Sequence, residues 1–245
     1  MPRPLVDLLW RDHPLAPAGG SRGPRARLGT GQVVERAVAM ADDGGLAAVT
    51  IRSLGQSLGV TGMSVYTYVN SRDDLLVLMA DHVHFAMQLT ALGAVGWQAR
   101  VRQVAQDNLA LFTEHPWLLE VEDPRTALGP GTIAKYDHEL LAFEAAGLAD
   151  LDRDASLSFV LDFVRASAAR LLRGPGGDFT HVWRESVDSL ANYLGEDHPL
   201  AQRVGRVAGE AMGAPSDAAR AWEFGLVRVI AGLEALTLGE APGDG

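Results

Sequence analysis

Between Thr50 and Leu76 the chain reads TIRSLGQSLGVTGMSVYTYVNSRDDLL, and Gly59 divides this stretch in two. Ile51, Leu54 and Leu58 share one helical face before the glycine, and Val65 and Val69 share another after it. Helices this short do not persist alone in water, because nucleation is costly and few hydrogen bonds follow it. Each must be pinned by packing on its neighbours. Thr50 is suited to cap the first helix, and Ser71 a longer one from Arg72, whose early Asp73 and Asp74 complement the helix dipole. Two helices of about eight and seven residues around a glycine-containing turn form a helix-turn-helix.

That arrangement explains an odd surface. With Val65 and Val69 turned to a small core of Ile51, Leu54, Leu58 and Val60, the opposite face presents Gly62, Met63, Tyr66 and Thr67. A core helix would hide these residues, and an ordinary surface helix would carry more charge. In the major groove they have work to do. Gly62 permits close backbone approach, Met63 meets a thymine methyl, and Tyr66 and Thr67 reach base edges or phosphates. Arg52 and the free amides at the start of the Arg72 helix suit phosphate contacts.

The remainder is also helical in pattern. Val34, Ala37, Val38 and Ala41 form a stripe that "DDGG" at 42–45 ends, with glycine available for a left-handed cap. Leu75, Leu78, Met79, His82, Val83 and Ala86 mark the inward face of the next long helix. Val101, Val104, Ala105, Asn108 and Leu111 mark another, ended by "EHP" at 114–116. Helices are expected over 130–146, 153–173, 178–194, 198–212 and 216–238, the last opened by Ser216. No useful stretch alternates with period two, so the expected fold class is all-α with eight to ten helices: an N-terminal three-helix DNA-binding domain and a C-terminal helical bundle. Residues 1–29, rich in proline, glycine and arginine, are expected to be a flexible basic arm; 30–90 the DNA-binding domain with its connecting helix; and 91–245, after the break at "ALGAVG", the C-terminal helical bundle.

Net charge is −10, unpromising for a nucleic-acid binder until its distribution is considered. Residues 1–72 hold eight arginines against five acidic residues, whereas the rest holds 13 basic residues against 26 acidic ones. A basic head on an acidic body keeps DNA on one face. The chain has no cysteine, so thiolate and disulfide chemistry are excluded. No apolar run approaches a bilayer span, and neither a signal-peptide core nor a lipidation motif is present; the expected location is the cytoplasm, with no membrane partner.

The segment VTIRSLGQSLGVTGMSVYTYVNSRDDLLVLM, with the upstream VVERAVAMADDGGLAA, resembles the DNA-binding signature of the tetracycline-repressor (TetR) family. Later segments, LGPGTIAKYDHELLAFEAAGL and FGLVRVIAGLEAL, resemble that family's C-terminal domain, so the likeness spans about nine-tenths of the chain. It implies a homodimeric transcriptional regulator, in most members a repressor, released from a palindromic double-stranded operator by a small-molecule effector, with no further cofactor. It places DNA contacts at Thr50, Arg52, Thr61, Gly62, Met63, Ser64, Tyr66, Thr67, Tyr68 and Arg72. Tyr66 matches the family's tyrosine, Arg72 stands where lysine is usual, and Thr67 stands where many members carry an aromatic residue, which bears on the operator sequence. The resemblance also implies an effector pocket inside the C-terminal bundle, for which Gln88, Asn108, Phe112, His115, Trp117, His138, Phe163 and Arg165 are candidates. It implies a four-helix dimer interface from 153–172 and the last helix, with Leu157, Leu161, Val164, Leu226, Val229, Ile230 and Leu233 as its apolar residues. There, Gly225 and Gly232 would permit close helix approach.

Other readings compete. GQSLG at 55–59 and GGSRG at 19–23 match the G-x-S-x-G nucleophile pattern, but that chemistry needs a strand-to-helix elbow, and Ser57 falls in a helix and Ser21 in a coil. Seven histidines raise the question of a metal; His82 and His84 point to different faces, no H-x-x-x-H pattern exists, and His82, His115 and His138 read as polar lining rather than ligands. No catalytic or metal residue is therefore expected. Alternatives to the regulator are an all-α small-molecule-binding protein or enzyme that retains the motif as scaffold, and a helix-turn-helix protein whose acidic body binds another protein.

Overall fold

The short helices around Gly59 form as their packing requires. In a computed structural model, residues 3–16, 28–173, 177–212 and 217–239 are described. They contain eleven α-helices, one more than the upper expectation, and no strand among the described residues. Helices α1 (Leu5–Leu9), α2 (Thr30–Gly44), α3 (Ile51–Ser57), α4 (Gly62–Val65) and α5 (Arg72–Ala86) build the head. The stripe Val34, Ala37, Val38 and Ala41 is buried, and α2 ends at Gly45 with φ +70°. Thr50 caps α3 by accepting from Ser53 N. Gly59 takes φ +70°, and the hydrogen bonds Val60 N→Gly55 O (2.9 Å) and Gly59 N→Gln56 O (3.2 Å) close α3 in a Schellman motif. Leu54, Val65 and Val69 are buried, and Ile51, Leu58 and Val60 pack against them.

Helix α4 is shorter than expected. Four residues are α-helical, and the turn continues through Tyr68 with the tighter bonds Thr67 N→Ser64 O and Tyr68 N→Val65 O. A short helix satisfies its end carbonyls by tightening in this way. Ser71 caps α5 as expected, and Leu75, Leu78, Met79 and Val83 are buried. His82 is only half-buried, and Ala86 is exposed because the last turn of α5 is not covered on that side.

Residues 3–16 are not a loose arm. Leu8 and Leu9 of α1 are buried in the same core as α2 and α5, since the short apolar run has more to gain there than in water. The arginine-rich stretch 17–27 of the expected arm lies outside the described residues.

The chain divides into two compact units, Met1–Leu161 and Asp162–Gly245. In the first, α6 (Trp97–Glu114) buries its expected stripe and ends at His115. Two 3-10 turns follow, Pro116–Glu120 and Pro124–Leu128, then α7 (Pro130–Leu140). The expected helix over 130–146 changes to 3-10 form from Leu141 and stops at Gly147, φ +72°. Helix α7 meets α5 through bare backbone: a Cβ on Gly131 would collide with Asp81 O, and one on Gly129 with Asp81 Oδ1. Asp81 Oδ1 accepts from Thr132 N (2.9 Å), so a carboxylate of α5 serves the free amides at the start of α7.

Helix α8 (Asp150–Leu172) begins in the first unit and ends in the second, which also holds α9 (Gly177–Leu194), α10 (Pro199–Met212) and α11 (Ala218–Gly239). Expected boundaries agree within three residues; Ser216 and most of the GPGG stop lie outside the described residues. Within the second unit Phe163 stacks on Trp222, with ring centroids 5.5 Å apart, over Gly225, where a Cβ would come within 2.5 Å of the Phe163 ring. Gly225 thus permits the close approach expected of it; Gly232 has open space instead. Six of the seven apolar residues expected at a subunit interface are already covered in the single chain. Leu157, Val164, Leu226, Val229, Ile230 and Leu233 are buried within a single chain, and Leu161 is half-buried. Helical periodicity marks a stripe that must be covered, not which chain covers it. On these helices the apolar residues left exposed include Phe159, Phe224, Val227 and Leu236.

Candidate nucleic-acid interface

The face opposite Val65 and Val69 is open. Met63 is 78% exposed and Tyr66 47%, and Thr67 and Arg52 are exposed beside them. Four of the ten expected contact residues therefore form one uncharged surface with a single cation at its edge. Thr50 and Thr61, also exposed, spend their hydroxyls on capping: Thr50 Oγ1 accepts from Ser53 N (3.0 Å), and Thr61 Oγ1 from Ser64 N (3.3 Å). Ser64 is half-buried, its hydroxyl 2.9 Å from that of Thr61.

The other three have structural duties. Tyr68 is half-buried against the core, and its carbonyl accepts from Thr30 Oγ1 at 3.2 Å. Arg72 turns back on the head, donating to Val49 O (3.2 Å) and Leu46 O (3.1 Å), which leaves part of its guanidinium for a phosphate. Gly62 lies against α3, where a Cβ would make only ordinary contacts. The glycine that sterics demand is Gly55, which the motif reading treated only as part of a false nucleophile pattern. A Cβ there would stand 3.0 Å from Gly62 N and 3.1 Å from Thr61 C, so Gly55 sets how closely α3 and α4 cross. Its smallness at a buried helical position was the available signal.

Of the eight residues expected around an effector, the six in the first unit are spread over several local contacts. Trp117 is buried and donates from Nε1 to Asp42 Oδ1 at 2.6 Å, with His115 Nδ1 2.7 Å from the same oxygen, at the end of α2. Asn108 is buried and donates to Glu139, which also holds Lys135. His138 Nε2 lies 3.1 Å from Thr90 O, Phe112 packs on the head's core, and Gln88 is exposed after α5. Phe163 and Arg165 belong to the second unit. Among the described residues, no three histidine or carboxylate groups are placed to hold a metal. The second unit has a groove of about 610 Å³ between α9 and α10, lined by Trp183, Arg184, Asp188, Leu190, Gln202 and Arg206 among others, none of them among the eight.

Two short helices crossing at Gly55, a Schellman turn at Gly59 and an exposed uncharged face on the second helix define a helix-turn-helix DNA-binding protein with a helical body. Its body matches the tetracyclin repressor-like C-terminal domain over residues 89–237, and the chain belongs to the TetR family of transcriptional regulators. It is similar to the HTH-type transcriptional repressor DrrR1 of Streptomyces coeruleorubidus, 33% identical over 239 residues that cover 94% of this chain and 85% of that protein. Among solved structures, apo ActR from Streptomyces coelicolor matches with TM-score 0.71 at 27% identity, covering 88% of this chain and 100% of ActR. ActR in complex with actinorhodin matches with TM-score 0.70 at 28% identity, covering 88% and 100%. Among the described residues, no helix is long and apolar enough to cross a membrane.

Proposed function

We propose that this regulator is a homodimeric repressor that leaves a palindromic operator when a small molecule binds its body, and that it acts in the cytoplasm without catalysis or a metal. The observation that carries the reading is the exposed face of Met63, Tyr66 and Thr67 on a helix anchored by Val65 and Val69. Arg52 and part of Arg72 supply phosphate contacts, and Thr50, Thr61, Gly62, Ser64 and Tyr68 hold the reading helix or border it. In a dimer two such helices stand about 34–36 Å apart, one turn of B-DNA, which requires a two-fold operator. The exposed Phe224, Val227 and Leu236 of α11 supply apolar surface for the second copy.

Similarity to a repressor and to a protein crystallised with actinorhodin supports repression and effector binding. The effector enters the groove between α9 and α10, whose size and mixed lining suit a small organic molecule. Because binding at the two sites is linked, operator DNA weakens the effector by the factor by which the effector weakens DNA.

Fluorescence anisotropy with a labelled duplex from the promoter beside its own gene tests this reading. The chain should prefer that duplex to an unrelated one at matched salt, and Tyr66→Ala should remove the preference with the fold intact by circular dichroism. Equal affinity of the unaltered chain for both duplexes would overturn it.

A further inference from the structure

We propose that Arg125 and Trp10 are positioning residues for DNA reading, acting on α4 through Asp74 and Asn70; the inference rests on the DNA-reading role of α4. Asn70 follows Val69, the last anchor of the reading unit, and precedes Ser71, the cap of α5. Its amide donates to Asp74 Oδ2 (3.0 Å) and to Arg3 O (2.9 Å). Asp74 is buried in the first turn of α5, and its other oxygen accepts from Arg125 Nη1 at 2.8 Å. One carboxylate thus receives the head with one oxygen and the body with the other.

Arg125 is itself held. Asp123 accepts from its Nε and, at 2.7 Å, from its Nη2, and caps the 3-10 turn Pro124–Leu128 through Arg125 N. The last residue of that turn, Leu128, accepts from Trp10 Nε1 at 2.9 Å. Trp10 closes α1, whose Leu8 and Leu9 are buried in the head's core. The contacts form a circuit: Arg3 to Asn70, Asn70 to Asp74, Asp74 to Arg125, along the turn to Leu128, and back through Trp10 to the N-terminal segment.

The circuit lies at the corner where α4 gives way to α5, so it fixes the direction in which Met63 and Tyr66 face. It also reaches the body directly. The turn runs through Gly129 into α7, and the first residues of α7 are seated on α5 by the Thr132–Asp81 bond with no room for a Cβ at Gly129 or Gly131. A displaced α7 therefore carries Arg125 with it, and its pull arrives at Asn70 as well as through α5. Groups joined in one hydrogen-bonded network couple more strongly than their separate contacts imply.

The test measures Kd of the full chain for the promoter duplex and for an unrelated duplex of equal length at one salt concentration, together with the thermal midpoint. Arg125→Ala and Trp10→Phe, the latter keeping an aromatic ring and losing the N–H, should each weaken promoter binding by roughly fivefold or more while affinity for the unrelated duplex stays unchanged. Their double variant should lose less than the product of the single effects. A purely structural role would lower the thermal midpoint and leave the ratio of the two affinities as it is in the unaltered chain; that result overturns the inference. If Arg125→Ala does not fold, the ratio for Trp10→Phe decides in the same way. An unaltered chain with no preference for the promoter duplex removes the DNA-reading role together with the inference.

Discussion

Lys135, the chain's only lysine, holds Glu139 at 2.8 Å one turn along α7, and both side chains are buried. Asn108 of α6 donates to the same carboxylate. Removing one member strands the other's charge in a low-dielectric interior. Lys135→Met should therefore cost about 3–5 kcal/mol. Lys135→Met with Glu139→Leu should recover much of this loss, though Asn108 then lacks its partner. Urea unfolding of both variants measures the difference.

Gly59 sits at φ +70°, so Gly59→Ala should cost about 1–2 kcal/mol from backbone conformation alone. Gly55→Ala acts differently. Its added carbon meets backbone of Gly62 at 3.0 Å, which cannot rotate away, so α4 must move off α3. We expect a stability loss of about 1–3 kcal/mol and a larger loss of promoter affinity than Gly59→Ala produces. Denaturant titration and anisotropy separate the two effects.

Met63→Ala removes a side chain that is 78% exposed, so the thermal midpoint should not change. Promoter affinity should fall about tenfold, within the roughly 1–3 kcal/mol range for a base-edge contact. The salt dependence should be retained, because no phosphate contact is lost. A binding series across salt concentrations checks both expectations.

Local chemistry made the head legible. Thr50, Gly59 and Ser71 signal caps and a turn within a few residues of themselves, and the spacing of Val65 and Val69 marks which face of the helix after Gly59 stays exposed. The all-α class and most helix ends followed from the same periodicity. Contacts far apart in sequence were not legible. Nothing near Asp74 announces Arg125, and nothing near Asp42 announces Trp117, because such pairs depend on how the helices cross. The N-terminal segment misled through composition: its prolines and arginines outweighed Leu8 and Leu9, which fold back on the core. Spacing does not separate effector candidates from core residues, since aromatic residues are needed for packing and for pockets alike.

Burial pushes His84 down to about 3 from its ordinary 6.5, with the Lys135 charge adding to the effect, and the ring lies 2.9 Å from Thr132 Oγ1. A histidine depressed on folding binds its proton more readily in the unfolded chain. Its contribution is thus intact above 6.5 and is lost as pH falls from 6.5 towards 3. His84→Gln keeps a partner for Thr132 and removes the titration. The variant's stability should fall less steeply than the wild type's over that window, as read by chemical unfolding at a series of pH values.

The bond from Asn70 to the carbonyl of Arg3 has a practical side. Any purification tag or fusion partner joined ahead of residue 3 would be delivered beside the end of α4, next to the face proposed to read DNA. Reporter fusions are better attached after α11, at the far end of the sequence from α4.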